Sequence, residues 1–254
     1  MEKIIIILVG LVWGSFLNVV IYRLPRKQSL VYPPSTCPSC GQRIKPYDNI
    51  PLVSFLLLRG KCRSCGASIS WRYPLVEAIT AASLLLLYFY FGLSLHFFAG
   101  ALYTSALICL GFIDYDHQLL PDMITLPGFG LGLVYTFFRR DLNFGQGLLG
   151  AATGAGVLLI VYGLYYLLRK KEGLGLGDVT MMLFVGSFVG WRGALLTLVL
   201  ASFVGALIGL FFIKMKQKNL QSALPFGTFL APAAFIAFFW GEIIINSYLQ
   251  MFPR

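Results

Sequence analysis

Eight apolar runs, separated by polar or glycine- and proline-containing stretches, divide the chain: 4–21, 74–92, 95–113, 123–138, 148–168, 179–190, 194–213 and 228–249. A bilayer core of about 30 Å is crossed by about 20 apolar residues in a helix, so the pattern predicts about eight transmembrane helices. The sixth run has only 12 residues. As a helix it reaches about 18 Å, so it must tilt, extend through Trp191–Gly193, or pack inside a bundle. In the first run the basic residues follow the apolar core (Arg23, Arg26, Lys27). A cleaved secretory signal carries its charge in front, so this run reads as a retained helix with its N-terminus outside. Internal repeats and low-complexity tracts are not evident in the sequence.

Composition agrees with the pattern. The chain is 58% hydrophobic and 12% charged, with a mean hydropathy of +0.79, whereas soluble domains carry roughly 25% charged residues. This excludes most soluble enzymes and disorder. The net charge of +10 would suggest nucleic acid in a soluble protein. Here topology explains it. With the N-terminus outside, segments 23–73, 114–122, 169–178 and 214–227 are cytoplasmic and hold 15 of the 20 Lys and Arg residues. Lys3, Arg139, Arg140, Arg192 and Arg254 fall on the other side. The positive-inside rule supports this arrangement, with Arg139-Arg140 as a local exception that Asp141 only partly offsets. No nucleic-acid partner is expected; membrane lipid is.

The only long hydrophilic segment, 23–73, contains Cys37-Pro38-Ser39-Cys40 and Cys62-Arg63-Ser64-Cys65, each pair followed by a glycine (Gly41, Gly66). Two CxxC knuckles at this separation match a tetrahedral four-cysteine zinc site. Two disulfides are the alternative, disfavoured in a reducing cytoplasm. Four thiolates leave no open coordination position, so the zinc is expected to be structural. Cys109, inside an apolar run, reads as a packed core residue.

The chain has only ten acidic residues, so each can be weighed singly. Glu2, Asp48, Asp141 and Glu172 lie in hydrophilic surroundings and read as solvated. Glu242 falls in the last helix, where packing and function are equally open. Glu77 sits one turn into the second helix, where capping, pairing with Arg72 and substrate contact all remain open. Asp114 closes one long apolar run, and Asp178 opens another after Gly173, Gly175 and Gly177. Ionisable groups at that depth are functional candidates by default. Both belong to cytoplasmic segments, so they can meet at one depth. Two adjacent carboxylates share a proton, one serving as base toward water and the other as acid, which is the chemistry of an aspartyl protease. Asp116 lies roughly 200° around a helix from Asp114, so only one of them readily faces Asp178. Asp122, after Pro121, is expected to N-cap a helix, and His117 to be a polar loop residue. Paired intramembrane acids also serve ion or solute transporters, and a non-catalytic zinc-ribbon scaffold would need only the cysteines. Transporters usually show repeats and have no need of a ribbon.

Together these residues resemble the bacterial type IV prepilin peptidases, across nearly the whole chain. The resemblance is carried by Gly14-Ser15-Phe16-Leu17-Asn18 with Tyr22-Arg23-Leu24-Pro25, by the CxxC…CxxC loop, and by Trp71-Arg72-Tyr73-Pro74. It is completed by Asp114-Tyr115-Asp116-His117, Leu120-Pro121-Asp122 and Gly175-Leu176-Gly177-Asp178-Val179. It implies a polytopic inner-membrane aspartyl protease of the GxGD type. Such an enzyme cuts a short basic leader from prepilins or pseudopilins at the cytoplasmic face, with Asp114 and Asp178 catalytic. It also implies N-methylation of the new N-terminal residue with S-adenosylmethionine, in which Gly60-Lys61 takes part. The expectation is an all-α membrane bundle. It has a first transmembrane helix (1–22), a cytoplasmic zinc-binding loop (23–73) held by Cys37, Cys40, Cys62 and Cys65, and a seven-helix peptidase core (74–254). One difficulty accompanies it: the loop that would meet a basic leader itself carries nine basic residues against Asp48. Attraction then falls to local acids such as Asp116, Glu172 or Asp48, or is unimportant, while loop cations face anionic lipid or an acidic residue of the substrate.

Overall fold

The computed structural model describes residues 1–170, 175–214 and 225–251. Among these, all regular structure is helical, with two isolated β-bridges and no strand. The helices are α1 (Glu2–Arg23), α2 (Val53–Leu57), α3 (Arg72–Phe91), α4 (Leu95–His117), α5 (Asp122–Thr136), α6 (Phe144–Arg169), α7 (Leu176–Lys214) and α8 (Phe226–Gln250). Six of them are long and apolar enough to cross a membrane: α1, α3, α4, α6, α7 and α8.

All eight apolar runs are nevertheless helical. The fourth run forms α5, whose 15 residues reach only about 22 Å. The sixth and seventh both lie in α7, which is interrupted at Gly190 (φ 69°, ψ −179°). Only glycine adopts this conformation without strain, and a Cβ there would also lie 2.7 Å from Leu142 Cδ1. The short sixth run is accommodated by burial: Val179, Met181, Met182, Phe184, Val185 and Phe188 are all in the core. Arg139 explains the local exception to the charge rule. Its Nη1 donates to the Phe188 carbonyl at 2.6 Å, just before the break, and its other nitrogens engage Asp141. The guanidinium therefore satisfies a carbonyl near the interruption.

The chain divides into two compact units, Met1–Cys109 and Leu110–Arg254. In the first, α1 packs on α3 through small residues. A Cβ on Gly10 would lie 2.6 Å from Ala81 Cα, and one on Gly14 would lie 2.7 Å from Glu77 Cα. This close approach of backbones is the usual way membrane helices gain van der Waals contact. The opposite face of α1 exposes Ile4, Ile5, Leu8 and Val12, as a lipid-facing surface should. Glu2, read as solvated, accepts a hydrogen bond from the Tyr88 hydroxyl of α3.

In the second unit α7 is the central element, packed by α5, α6 and α8. The start of α6 is fixed by an Asn143–Gln146 capping box. The α6–α7 crossing is closest at Gly150 and Gly186, where a Cβ on either glycine would sit 2.3 Å from the other's carbonyl oxygen. Gly186→Ala is therefore expected to force the helices apart and to destabilise this unit by about 1–3 kcal/mol, the usual cost of overpacking. A lower thermal midpoint in detergent checks this, and an unchanged midpoint would mean that the crossing relaxes freely.

Candidate active site

α4 brings Asp114 to within one turn of its C-terminal end, and α7 carries Asp178 in its first turn. Both carboxylates are buried, at 5% and 7% exposure, although neither forms a salt bridge among the described residues. They are close enough for the charge of Asp114 to act on Asp178. Asp116, two residues beyond Asp114, is exposed, as are Tyr115 and His117. The helical angle thus turns Asp114 inward and Asp116 outward. His117, expected in a loop, is instead the last residue of α4.

The partners of the pair come from a third element. Asp114 Oδ2 accepts the Thr228 backbone N–H at 2.8 Å, and lies 3.2 Å from the Thr228 hydroxyl, which is also 3.2 Å from the Gly111 carbonyl. The Gly227 amide adds a further hydrogen bond to the same carboxylate. Gly227 and Thr228 occupy the first turn of α8. Their N–H groups are unfilled donors at a helix start, where the helix dipole also favours negative charge. Asp178 receives a hydrogen bond from the Gly175 amide, just ahead of α7. Two helix N-termini and one helix C-terminus therefore meet around two acids.

Leu120 packs among these ends and is 7% exposed. A Cβ on Gly177 would lie 2.9 Å from Leu120 Cβ, and one on Gly227 would lie 3.0 Å from both Leu120 methyls and from Asp114 Oδ2. The glycines allow α7 and α8 to close on this side chain. Asp122 does not N-cap α5. Pro121 holds that position without a side-chain cap, and Asp122 is the first helical residue. Its Oδ1 instead accepts the Thr180 hydroxyl at 3.1 Å, tying α5 to α7 beside Asp178. The proline forces the chain extended before the helix, which moves the aspartate one place inward.

Gly227 and Thr228 carried no sequence signal beyond Pro225 ahead of an apolar run, since their partner lies 114 residues away. Glu172 lies outside the described residues. Glu242 is exposed at the rim of a second cavity with Asp141, Gln146 and Arg192.

In the first unit, the four cysteines converge. The sulfurs of Cys37, Cys40, Cys62 and Cys65 all lie within 4.8 Å of one another, and Cys37 and Cys65 Sγ are 3.9 Å apart. A tetrahedral zinc with Zn–S bonds of 2.3 Å needs sulfurs about 3.8 Å apart, so the set fits that ion. Each knuckle closes alike. Gly41 N–H donates to Cys37 O and Gly66 N–H to Cys62 O, both glycines at positive φ, and the bridges Thr36–Arg43 and Lys61–Ser68 complete the turns. Amides of Cys40 and Ser39 pull the Cys37 thiol down to about 6. Cys65 is pushed up to about 11: the Ala67 amide opposes the rise, but desolvation and the neighbouring thiols outweigh it. Once one thiolate has formed, its neighbours resist ionising without a cation.

Asp48, expected to be solvated, ties the 3₁₀ turn Pro46–Asn49 to the second knuckle through Arg63. Arg63 Nη2 meets its Oδ1 at 2.7 Å, and Arg63 Nε lies 3.0 Å from both oxygens. This guanidinium holds the Asp48 carboxyl below its ordinary range. Glu77 is likewise engaged, its Oε2 accepting the Leu52 N–H at 2.9 Å, with Ser15 as a second partner. It anchors the loop to α3.

Two family models match the chain. The Bacterial Peptidase A24 N-terminal domain covers residues 8–91, and the Type IV leader peptidase family covers residues 101–210. The chain is 41% identical to the prepilin leader peptidase/N-methyltransferase of Pseudomonas aeruginosa, over 96% of this chain and 92% of that protein. It is 40% identical to the protein of that name from Stutzerimonas stutzeri, with the same coverage. For the protein of that name from Aeromonas hydrophila the identity is 37%, over 98% of this chain and 94% of that one. No solved structure matches the chain.

Proposed function

The chain belongs to the type IV leader peptidase family, and we propose that Asp114 and Asp178 are the dyad with which it hydrolyses the leader peptide bond of prepilins or pseudopilins. The observation that carries this is the burial of two carboxylates at the meeting of three helix ends, in a multi-pass membrane protein.

The hydrogen-bond set supports a division of roles. Asp114 faces the donors of Gly227 and Thr228, so it is the partner that bears negative charge; Asp178 bears the proton. Asp114 takes a proton from the attacking water, whose oxygen bonds to the scissile carbonyl carbon. Asp178 gives its proton to the carbonyl oxygen. The tetrahedral diol then collapses: the C–N bond breaks, the proton held on Asp114 passes to the leaving amine, and one diol hydroxyl returns its proton to Asp178 as the new carboxyl forms. Burial keeps competing water away and leaves the interaction of the two groups unscreened.

The distribution of Lys and Arg supports placing the dyad and the zinc loop on the cytoplasmic side of the bacterial inner membrane. A prepilin is a single apolar helix behind a basic leader, and its scissile bond arrives at the boundary where both acids sit. Asp48 is engaged by Arg63, which leaves it less charge to offer that leader.

The second activity is methylation of the new N-terminus, which the names of the relatives support. S-adenosylmethionine supplies an electrophilic methyl carbon: the neutral amine bonds to it, the C–S pair goes to sulfur, and the amine's surplus proton leaves to water. Gly60 and Lys61 serve this activity, and a structural zinc on the four cysteines holds the loop that carries them. Incubation of the purified protein with a prepilin, with and without S-adenosylmethionine, tests both activities by intact mass. Leader loss alone, then leader loss plus one methyl group, is the expected pair of results; an intact prepilin would overturn the reading.

Gly227→Ala tests the seat of Asp114. The new Cβ must displace either Leu120 or the Asp114 carboxylate. A misplacement near 1 Å costs up to about 10²-fold. Cleavage is expected to slow by about tenfold or more while the thermal midpoint changes little. An unchanged kcat would show that α8 can shift without moving the acid.

A further inference from the structure

The first unit contains a cavity of about 580 Å³ on the cytoplasmic loop, within the roughly 300–1,000 Å³ range of small-molecule sites. Its walls include Phe55, Arg59, Gly60, Lys61, Ser70 and Trp71. The rings of Phe55 and Trp71 meet edge to face, with centroids 4.7 Å apart. Trp71 is otherwise open, at 74% exposure, which is unusual for the largest aromatic side chain of a hydrophilic loop. Arg59 and Lys61 line the same cavity, and no carboxylate pairs with either among the described residues.

Local chain geometry explains how this arrangement is built. Helix α2 closes with Gly60 N–H donating to the Phe55 carbonyl at 2.9 Å and Arg59 N–H donating to Leu56 O. Arg59 and Gly60 both take positive φ, at 53° and 68°. This left-handed closure is one that glycine supports without strain. It sets Gly60 under the Phe55 ring, where a Cβ would lie 3.2 Å from Phe55 Cζ. Any side chain at position 60 would therefore crowd this ring, which lines the cavity. The next residues lock the rim to the second zinc knuckle: Ile69 N–H donates to Gly60 O at 2.7 Å, and Lys61 bridges Ser68.

An exposed indole braced by a second ring offers a stacking face for a planar base, and two unpaired cations beside it offer a site for a carboxylate. We propose that this cavity takes the methyl donor, with the purine of S-adenosylmethionine stacked on Trp71 against Phe55 and its carboxylate met by Lys61 and Arg59. The assignment rests on the methyltransferase reading and gives Gly60 and Lys61 separate tasks. Gly60 sets the position of the aromatic wall, and Lys61 supplies charge.

The test uses the full-length protein in detergent. Ultraviolet crosslinking of methyl-labelled S-adenosylmethionine is followed by peptide mapping, and binding of S-adenosylhomocysteine is measured by calorimetry. Label is expected in the peptide that holds residues 53–72. Trp71→Ala and Lys61→Met are each expected to raise the dissociation constant at least tenfold, and Trp71→Phe to keep it within about threefold. Prepilin cleavage by the same preparations reports folding; if Trp71→Ala loses cleavage as well, the label map on the parent protein decides. Label elsewhere, or unchanged affinity in folded variants, overturns the cavity while leaving the methyltransferase reading intact. A parent protein that neither binds the donor nor methylates overturns both.

Discussion

Asp114→Asn is expected to abolish leader cleavage, with turnover reduced on the order of 10³-fold or more, and Asp178→Asn to do the same. General acid–base groups contribute about 10²–10⁴-fold each, and these two act on one proton cycle. Asparagine preserves size and can still accept the Thr228 and Gly227 amides through its oxygen, so the start of α8 stays capped. It can neither take a proton from water nor hand one to the carbonyl oxygen. The double variant is expected to be no slower than either single one, because residues that act as a unit are non-additive. Asp116→Asn, which changes an exposed side chain, is expected to retain most activity. Single-turnover cleavage of a purified prepilin measures each rate. Elution volume and bound metal separate lost chemistry from lost fold. Retention of cleavage within tenfold by either member of the pair would remove it from the dyad, and an inactive Asp116→Asn beside an active Asp114→Asn would reverse the choice between them.

What the sequence makes legible here follows from the range of the interactions. Apolar runs are local, and all eight became helices. CxxC spacing is local within each knuckle, and only one partner set was available, so the convergence of Cys37, Cys40, Cys62 and Cys65 could be anticipated. The acids were legible for a different reason: so few carboxylates are present that two at the ends of apolar runs stood out. Their partners were hidden. Thr228 and Gly227 look like ordinary residues at a helix start, and their amides matter only because α8 begins beside a residue far earlier in the chain. Asp122, Asp48 and Glu77 each took a long-range partner in place of the local or solvated role suggested by their neighbours. For Asp48 the bidentate guanidinium and for Glu77 the buried contact to the loop decide the role, while Pro121 takes the cap position ahead of Asp122. The run pattern put a boundary at Gly190, where the break falls, but it did not show that helix resumes at once after this single non-helical residue.

Removal of the metal is expected to separate the two activities. A four-cysteine zinc supplies apparent binding energy of about 10–16 kcal/mol in small domains that fold only around it, and beyond the Glu77–Leu52 and Asp48–Arg63 contacts the loop has little else to hold it. Its described regular structure consists of one 3₁₀ turn (Pro46–Asn49), α2 and two isolated bridges. Cys62→Ser, or exhaustive chelation, is therefore expected to unfold residues 36–70 and expose them to limited proteolysis. Gly60 and Lys61 lie directly before Cys62, and the Lys61–Ser68 bridge spans the knuckle that Cys62 and Cys65 close. Methyl transfer is expected to fall to background. The contacts of Asp114 and Asp178, by contrast, come from Gly175, Gly227 and Thr228, all in the second unit. The chemical step of cleavage is thus expected to persist at saturating prepilin, with any loss confined to KM. Metal content, protease susceptibility of the loop, and the two product masses from one reaction read the outcome together. Normal methylation by metal-free protein would show that the zinc holds nothing the methyl transfer needs. Parallel loss of kcat for cleavage and for methylation would show that the dyad depends on the loop for more than substrate binding.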